Sequence, residues 1–432
     1  MDFVIKISRD HLAAKLFAAL FFIWTANYLW ATTEMWWLAR VSDVIWSILV
    51  ALFFLKVASY RSVVIKTVPL FLFFLCLICS HYIFDADHPY KTSLYSKTVF
   101  YVLVSVSSGC LLGQMLSSNE KRARIFMRYI SWSFALLIIA YTIYSFTLGW
   151  NIVGSMLATE IGQYYQGISR LIATALIVVV SGKRYLPWPV LLLCIILGSL
   201  LIISFSGGGA LIGVGLAAFL LFYSSMRGQN KISIKGLVGS VFIVSILVLA
   251  LVVLDVGEVL SAYQERIFDK MNIDFSEYQS RPWLMAQGVK LWLEGPANLL
   301  VGMGILNYSL AVDYWAEYRH PHNLIILLLV WFGMFSIPII VAIISCAKRA
   351  LGLLKSRSVL QNCASILFFL YLALSMIGGD IEQNRHLFFM CGFVFSLSMS
   401  VKKDWHFSKS LKVVENSVRP RPSLGIEKLS NV

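Results

Sequence analysis

The chain has 432 residues, 59% of them hydrophobic and only 13% charged, with a mean hydropathy of +0.78. A soluble domain carries about 25% charged residues, so a water-soluble globule is excluded. The formal net charge of +14 does not point to nucleic acid, because the positive residues sit in short segments between apolar runs, as the positive-inside rule requires.

Apolar runs of membrane-spanning character recur at 16–31, 41–55, 67–84, 93–115, 129–149, 168–182, 187–205, 208–226, 236–256, 323–347, 359–379 and 387–401. In hydrocarbon each backbone polar group must bond within the protein, which leaves helical bundles or closed barrels. Barrel strands alternate apolar and polar residues, and these runs do not. The expected fold is therefore all-α: a polytopic bundle of about 12 transmembrane helices filling residues 1–401, followed by a basic tail at 402–432 with Pro420 and Pro422. The first run is long and has no small-residue cleavage site, so it reads as a retained signal anchor.

With the N-terminus inside, 26 of the 36 Lys and Arg fall in cytoplasmic segments. That bias puts both termini in the cytoplasm and the remaining connections on the opposite, outer side. The seven Cys lie in or beside apolar runs. Cys76 and Cys79 form a C-x-x-C inside such a run, with no second pair nearby, and read as packing residues rather than a metal or redox site.

One outer segment, 257–322, is far longer than the other connections, and long loops in compact proteins usually carry function. Within it, Ser280 as cap, Pro282 in the first turn and Gly295-Pro296 as terminator predict a helix. Its Trp283 and Trp292 suit the headgroup level of a membrane surface. A second outer segment, 150–167, holds Tyr165 and Gln166 and runs into Arg170.

The chemistry-bearing residues gather on this outer side. His320-Pro321-His322-Asn323 stands where the span 323–347 begins. A histidine there can act as base toward a bound hydroxyl, or the pair can be solvated loop residues. Asn323 can cap the following helix. No Asp or Glu completes a metal-ligand set with the two histidines. Arg170, Arg281, Arg319 and Arg385 stand at outer span ends or in outer loops. Their planar forks suit phosphate oxygens, although a surface arginine can also snorkel to headgroups. Asp380, Glu382, Asn384, Arg385 and His386 fill the last outer loop, where a carboxylate can orient a histidine or simply belong to a hydrated turn. The turn Ser204-Phe205-Ser206-Gly207-Gly208-Gly209 offers free amides for an anion or close helix packing.

Many spans, a long late outer loop, an Arg opening a loop helix in SRPWLMAQGVKLWLEGPANLLVGMGILNY (280–308), and HPHNLIILLLVWFGMFSIP (320–338) resemble the superfamily of O-antigen ligases and O-antigen or capsule repeat-unit polymerases. The resemblance covers mainly residues 204–345, with an echo in QYYQGISR at 163–170 and a G-x-G at Gly302 and Gly304. It implies glycosyl transfer in the periplasm from a glycan on undecaprenyl diphosphate to a glycan or lipid A core acceptor, without cofactor, nucleotide sugar or metal, alongside membrane lipids and a possible chain-length regulator. By motif position His322 is the catalytic histidine and Arg281 binds the diphosphate. Arg319, His320, Asn323, Tyr165 and Gln166 would line the substrate. The family's hairpin arginine is missing from Ser204-Phe205-Ser206-Gly207, and Arg170 or Arg385 stands to replace it. The QYYQGISR segment and the missing arginine favour a polymerase over a ligase. A transporter of the lipid-linked unit is the alternative from another class. The near absence of charge from the apolar runs argues against it.

Overall fold

The computed structural model describes residues 9–26, 36–55, 57–85, 91–147, 165–204, 215, 281–312, 321–356, 358–377 and 384–399. All regular structure among them is helical. In chain order the helices are α1 (Arg9–Thr25), α2 (Trp36–Leu55), α3 (Val57–Phe84), α4 (Lys91–Ser117), α5 (Glu120–Thr147), α6 (Tyr165–Ser181), α7 (Trp188–Ser204), α8 (Arg281–Leu293), α9 (Pro296–Val301), α10 (Ile305–Ala311), α11 (Leu324–Phe332), α12 (Ile337–Leu353), α13 (Val359–Ile377) and α14 (Arg385–Met399). The expected run at 208–226 apart from residue 215, the run at 236–256, the loop residues 257–280 and 313–320, and the tail 402–432 lie outside the described residues.

Four helical stretches among the described residues are long and apolar enough to cross a membrane: Lys91–Ser117, Glu120–Ser145, Leu324–Leu353 and Val359–Ile377. Shorter apolar helices include Gly167–Ser181, Trp188–Ile202 and Arg385–Met399. Hydroxyl groups within these apolar helices find acceptors one turn back. Ser131 donates to the Met127 carbonyl, Thr142 to Ile138 and Ser375 to Tyr371. Back-bonding of this kind keeps a buried hydroxyl satisfied without a partner on another helix.

α14 runs through the middle of the bundle. Its Phe389 meets Phe21 and Trp24 of α1 and Trp46 of α2, with ring centroids 5.6, 4.7 and 6.0 Å away. Against α4 it packs backbone to backbone. A Cβ on Gly109 would strike the Phe389 carbonyl, one on Gly392 the Val106 carbonyl, and one on Gly113 would lie 2.7 Å from Ser396 Cβ. Small residues at a crossing permit that approach and gain van der Waals contact where no hydrophobic effect separates helix from lipid. At the far end of α1, Asp10 bonds Arg122 of α5 at 2.6 Å and accepts from Asn119. Both partners are part-exposed, so the pair contributes about 0.2–1 kcal/mol.

The apolar run expected to form one span at 323–347 is a broken helix. α11 stops at Phe332, a 3-10 turn covers Gly333–Ser336, and α12 resumes at Ile337 with Pro338 in its first turn. Gly333 has φ +56°, which a residue with a side chain rarely adopts. The break frees carbonyls at the end of α11. Two of them gain new donors from a distant segment: Met303 N–H bonds the Val330 carbonyl at 2.7 Å and Gly304 N–H the Trp331 carbonyl at 3.1 Å. The segment Gly302-Met303-Gly304 therefore lies as a strap along the break. Both glycines have positive φ, and a Cβ on Gly302 would enter the Trp331 carbonyl.

Cys76 and Cys79 are free and exposed on α3, among exposed Leu72, Leu75 and Ile83. The packing role expected for them is corrected: both fall on the outward face of their helix.

Candidate functional site

The expected helix at 281–293 is present as α8, with Arg281 as its first residue. Leu284 and Gly288 form its buried stripe. Gly288 is pressed against the start of α11, where an added Cβ would meet Ile326 Cγ2 at 2.9 Å and Pro321 at 3.4 Å. Arg281 lies seven residues before Gly288, on the same face and roughly 10 Å along the axis at 1.5 Å per residue. Arg281 itself is exposed. Behind it, the Tyr308 hydroxyl of α10 donates to the Leu284 carbonyl at 2.8 Å. Burial pushes the Tyr308 phenol well above its ordinary value, so it stays a neutral donor. The helix lies on protein along its buried stripe and leaves Val289 and Leu293 exposed.

His322 has φ +53° and is the non-glycine residue with positive φ among the described residues. Left-handed backbone costs an L-residue about 1–2 kcal/mol, and such strain clusters at functional sites. His322 is half-buried, between buried Pro321 and the cap residue Asn323. Asn323 Oδ1 accepts from the Ile325 and Ile326 amides at 3.0 and 3.2 Å. Its Nδ2 donates to the Met376 carbonyl at 3.0 Å, at the end of α13. The cap expected at Asn323 is thus formed, and its amide is committed to holding the fold around His322.

A second centre heads the central helix. Asn384, Arg385 and His386 are buried, with Arg385 only 2% exposed. The sequence placed them in a hydrated outer loop. They fall instead inside the bundle, because α14 begins at Arg385 and Asn384 caps it through backbone bonds to Leu387 and Phe388. The Arg385 guanidinium lies over two rings, 5.7 Å from Trp24 and 5.4 Å from Tyr101. Its Nε and Nη2 meet no acceptor among the described residues. Cation–π contact offsets part of the desolvation of the charge.

His386 stacks on Tyr371 of α13 at 5.1 Å and 12° and contacts Trp24 at 4.6 Å. The Tyr371 hydroxyl reaches Thr174 Oγ1 at 2.6 Å, and Thr174 donates to the Arg170 carbonyl at 2.9 Å. Arg170 is 8% exposed, inside α6 rather than at its mouth. A chain of side chains therefore runs from His386, beside Arg385, to the backbone carbonyl of Arg170. Tyr371 precedes Met376 by five residues, roughly 8 Å of helix, so this centre and the His322 segment share the same end of the bundle.

The backbone of Tyr165 and Gln166 opens α6. Arg319 and His320 lie outside the described residues, as do Asp380, Glu382 and the glycine turn. Among the described residues, no group of three or more His, Cys, Asp and Glu is placed to hold a metal.

Sequence reasoning missed His81 and Asp85. His81 Nε2 lies 2.7 Å from the Val301 carbonyl, and its ring meets Phe332 edge-on at 5.0 Å. Asp85 accepts from the Leu306 and Asn307 amides at 2.9 and 3.1 Å and from the Tyr95 hydroxyl at 2.6 Å. The signal was two polar residues one helical turn apart at the end of an apolar run. Trp24 and Tyr101 were missed as well, since aromatic residues in apolar runs read as packing.

The chain matches no protein-family model, and no curated protein is significantly similar to it.

Proposed function

We propose that the protein is a polytopic membrane glycosyltransferase of about 12 transmembrane helices. It joins lipid-linked repeat units of O-antigen or capsular polysaccharide on the periplasmic side of the bacterial inner membrane. The observation that carries this reading is the buried Arg385 guanidinium, whose Nε and Nη2 meet no acceptor among the described residues, at the end of the bundle that holds the strained His322. An anionic leaving group gives such a cation its purpose. In transfer from an undecaprenyl-diphosphate-linked glycan, negative charge grows on the diphosphate as the sugar departs. Preorganised guanidinium groups stabilise that charge most in a partly dry site. Arg385, supported by Arg170, takes the place of the arginine absent from the Ser204-Phe205-Ser206-Gly207 turn, and Arg281 approaches from the exposed side. His322 accepts the proton of the acceptor hydroxyl, which gives single displacement with inversion and requires no metal.

The same chemistry with lipid A core as acceptor describes an O-antigen ligase. Two observations favour the transporter alternative more than the sequence did: α11 and α12 form a discontinuous helix, and charged groups lie inside the bundle.

The test is His322→Ala in cells lacking the native gene, with surface polysaccharide resolved on a gel and membrane level checked. A polymerase loses the long ladder but keeps a single repeat on the core. A ligase loses every repeat from the core and accumulates lipid-linked polymer. An unchanged ladder at normal level overturns the catalytic role of His322.

A further inference from the structure

One turn at the end of α3 grips both sides of the strap. His81 lies between two carbonyl oxygens, Nδ1 2.8 Å from that of Leu77 and Nε2 2.7 Å from that of Val301. The tautomer protonated on Nε2 donates to Val301, the residue just before Gly302. Asp85, four residues on and so on the same helix face, takes the Leu306 and Asn307 amides just after Gly304. Gly304 is held so close that an added Cβ would lie 2.8 Å from the Asp85 carboxylate. Asp85 is fixed in turn by the Tyr95 hydroxyl, and its own carbonyl accepts from Lys91 at 2.6 Å.

The clasp is connected to the candidate base. The strap bonds the last carbonyls of α11, and α11 is a rod of nine residues, roughly 14 Å long. Its other end carries Asn323 and His322. A helix this short transmits a tilt at one end to the other, because its own hydrogen bonds keep it straight. The outer end is held by the Asn323–Met376 bond, with Gly288 of α8 close against Pro321. The inner end is held by the strap.

We propose that His81 and Asp85 are positioning residues for His322. They hold the strap that closes the broken helix, and so set the angle at which α11 presents the histidine. The role rests on the reading of His322 as the transferring base. Neither residue touches substrate; both act through backbone more than two hundred positions away in sequence.

The test uses full-length protein in detergent with a polyprenyl-diphosphate-linked oligosaccharide as donor. Hydrogen exchange at the amides of 303, 304, 306 and 307 is read beside transfer kinetics. Asp85→Ala and His81→Leu remove the clasp. Asp85→Asn and His81→Gln keep one acceptor or donor each and guard against loss of the fold. The expected result is exchange at least tenfold faster in the strap for the first pair, with kcat about tenfold lower and donor KM within twofold of wild type. The conservative pair should recover part of both. Faster exchange with unchanged kcat would make the clasp structural only and overturn the proposal. A rise in KM alone would overturn it as well, by placing the pair at the donor. Faster exchange in variants of a wild-type protein that transfers no sugar would overturn the functional reading, and with it this role, while leaving the clasp itself established.

Discussion

Gly288 of α8 faces Pro321 with room for no more than a methyl group: a Cβ added to the glycine would lie 3.4 Å from the proline ring. There the helix that begins with Arg281 sits against the segment that holds His322. Both belong to the resemblance found in the sequence, and neither the spacing nor the residue types alone told how closely they approach. Gly288→Ala should be tolerated with a small loss, since Ile326 Cγ2 at 2.9 Å must shift by a few tenths of an ångström. Gly288→Leu should separate the two elements and lower transfer at least tenfold, measured in membranes normalised for protein level.

His322→Gly and His322→Ala both remove the imidazole, and both should abolish transfer. They differ in backbone, because φ +53° is open to glycine and strained for alanine. The glycine variant should be more stable than the alanine variant by about 1 kcal/mol. Thermal unfolding in detergent reads the difference, and equal stabilities would mean that the left-handed turn is not kept in the variants.

Arg385→Met should fold at least as well as wild type. It replaces a buried cation whose Nε and Nη2 meet no acceptor among the described residues by an apolar side chain of similar length, and such replacements are often neutral or stabilising. Transfer should nevertheless fall more than tenfold if the guanidinium holds the leaving diphosphate. Arg385→Lys should not restore it, since an ammonium lacks the planar fork. A Met variant with full activity would move the diphosphate elsewhere.

Asn323→Ala loses the two cap bonds and the tie to Met376. Caps of this type contribute about 1 kcal/mol, and the tie adds about 0.5–1.5 kcal/mol. Asn323→Asp keeps the cap and loses the donor to Met376, so it should fall between alanine and wild type in thermal unfolding.

Tyr308 gives a signature at high pH. Its phenol is pushed up by burial, so the folded protein keeps the proton at a pH where the unfolded chain has lost it. Stability from this source is full below the ordinary phenol value of about 10 and declines as pH rises beyond it. Tyr308→Phe should remove that decline and cost about 0.5–1.5 kcal/mol at neutral pH, the net value of its bond to Leu284.

The helices were legible because apolar composition is a local signal, and α8 was legible from Pro282 and the Gly295-Pro296 stop. The break at Gly333 was not. A glycine within LLLVWFGMFSIP leaves hydropathy unchanged, and the donors that repair it come from Met303 and Gly304. Arg385 was misplaced for a related reason. Asp380, Glu382 and Asn384 precede it and make the stretch read as a loop, while the rings that wall it, Trp24 and Tyr101, come from α1 and α4. His81 and Asp85 act on backbone more than two hundred residues away. Hydropathy and spacing describe neighbours in sequence, and each of these features is a meeting of distant segments.

The central position of α14 also dictates an order of assembly. Synthesis runs from the N-terminus, so α1, α2, α4 and α13 are in place before α14 emerges. Until then the Gly109–Gly113 face of α4 and the rings of Trp24 and Trp46 have lipid, not Phe389, for company. The bundle is completed by threading its keystone last, and the same event delivers Arg385 to its aromatic walls. A chain stopped short of residue 385 would thus leave the Gly109–Gly113 face of α4 and the Trp24 and Trp46 rings without their α14 partner. Maturation of the site and closure of the fold are a single step.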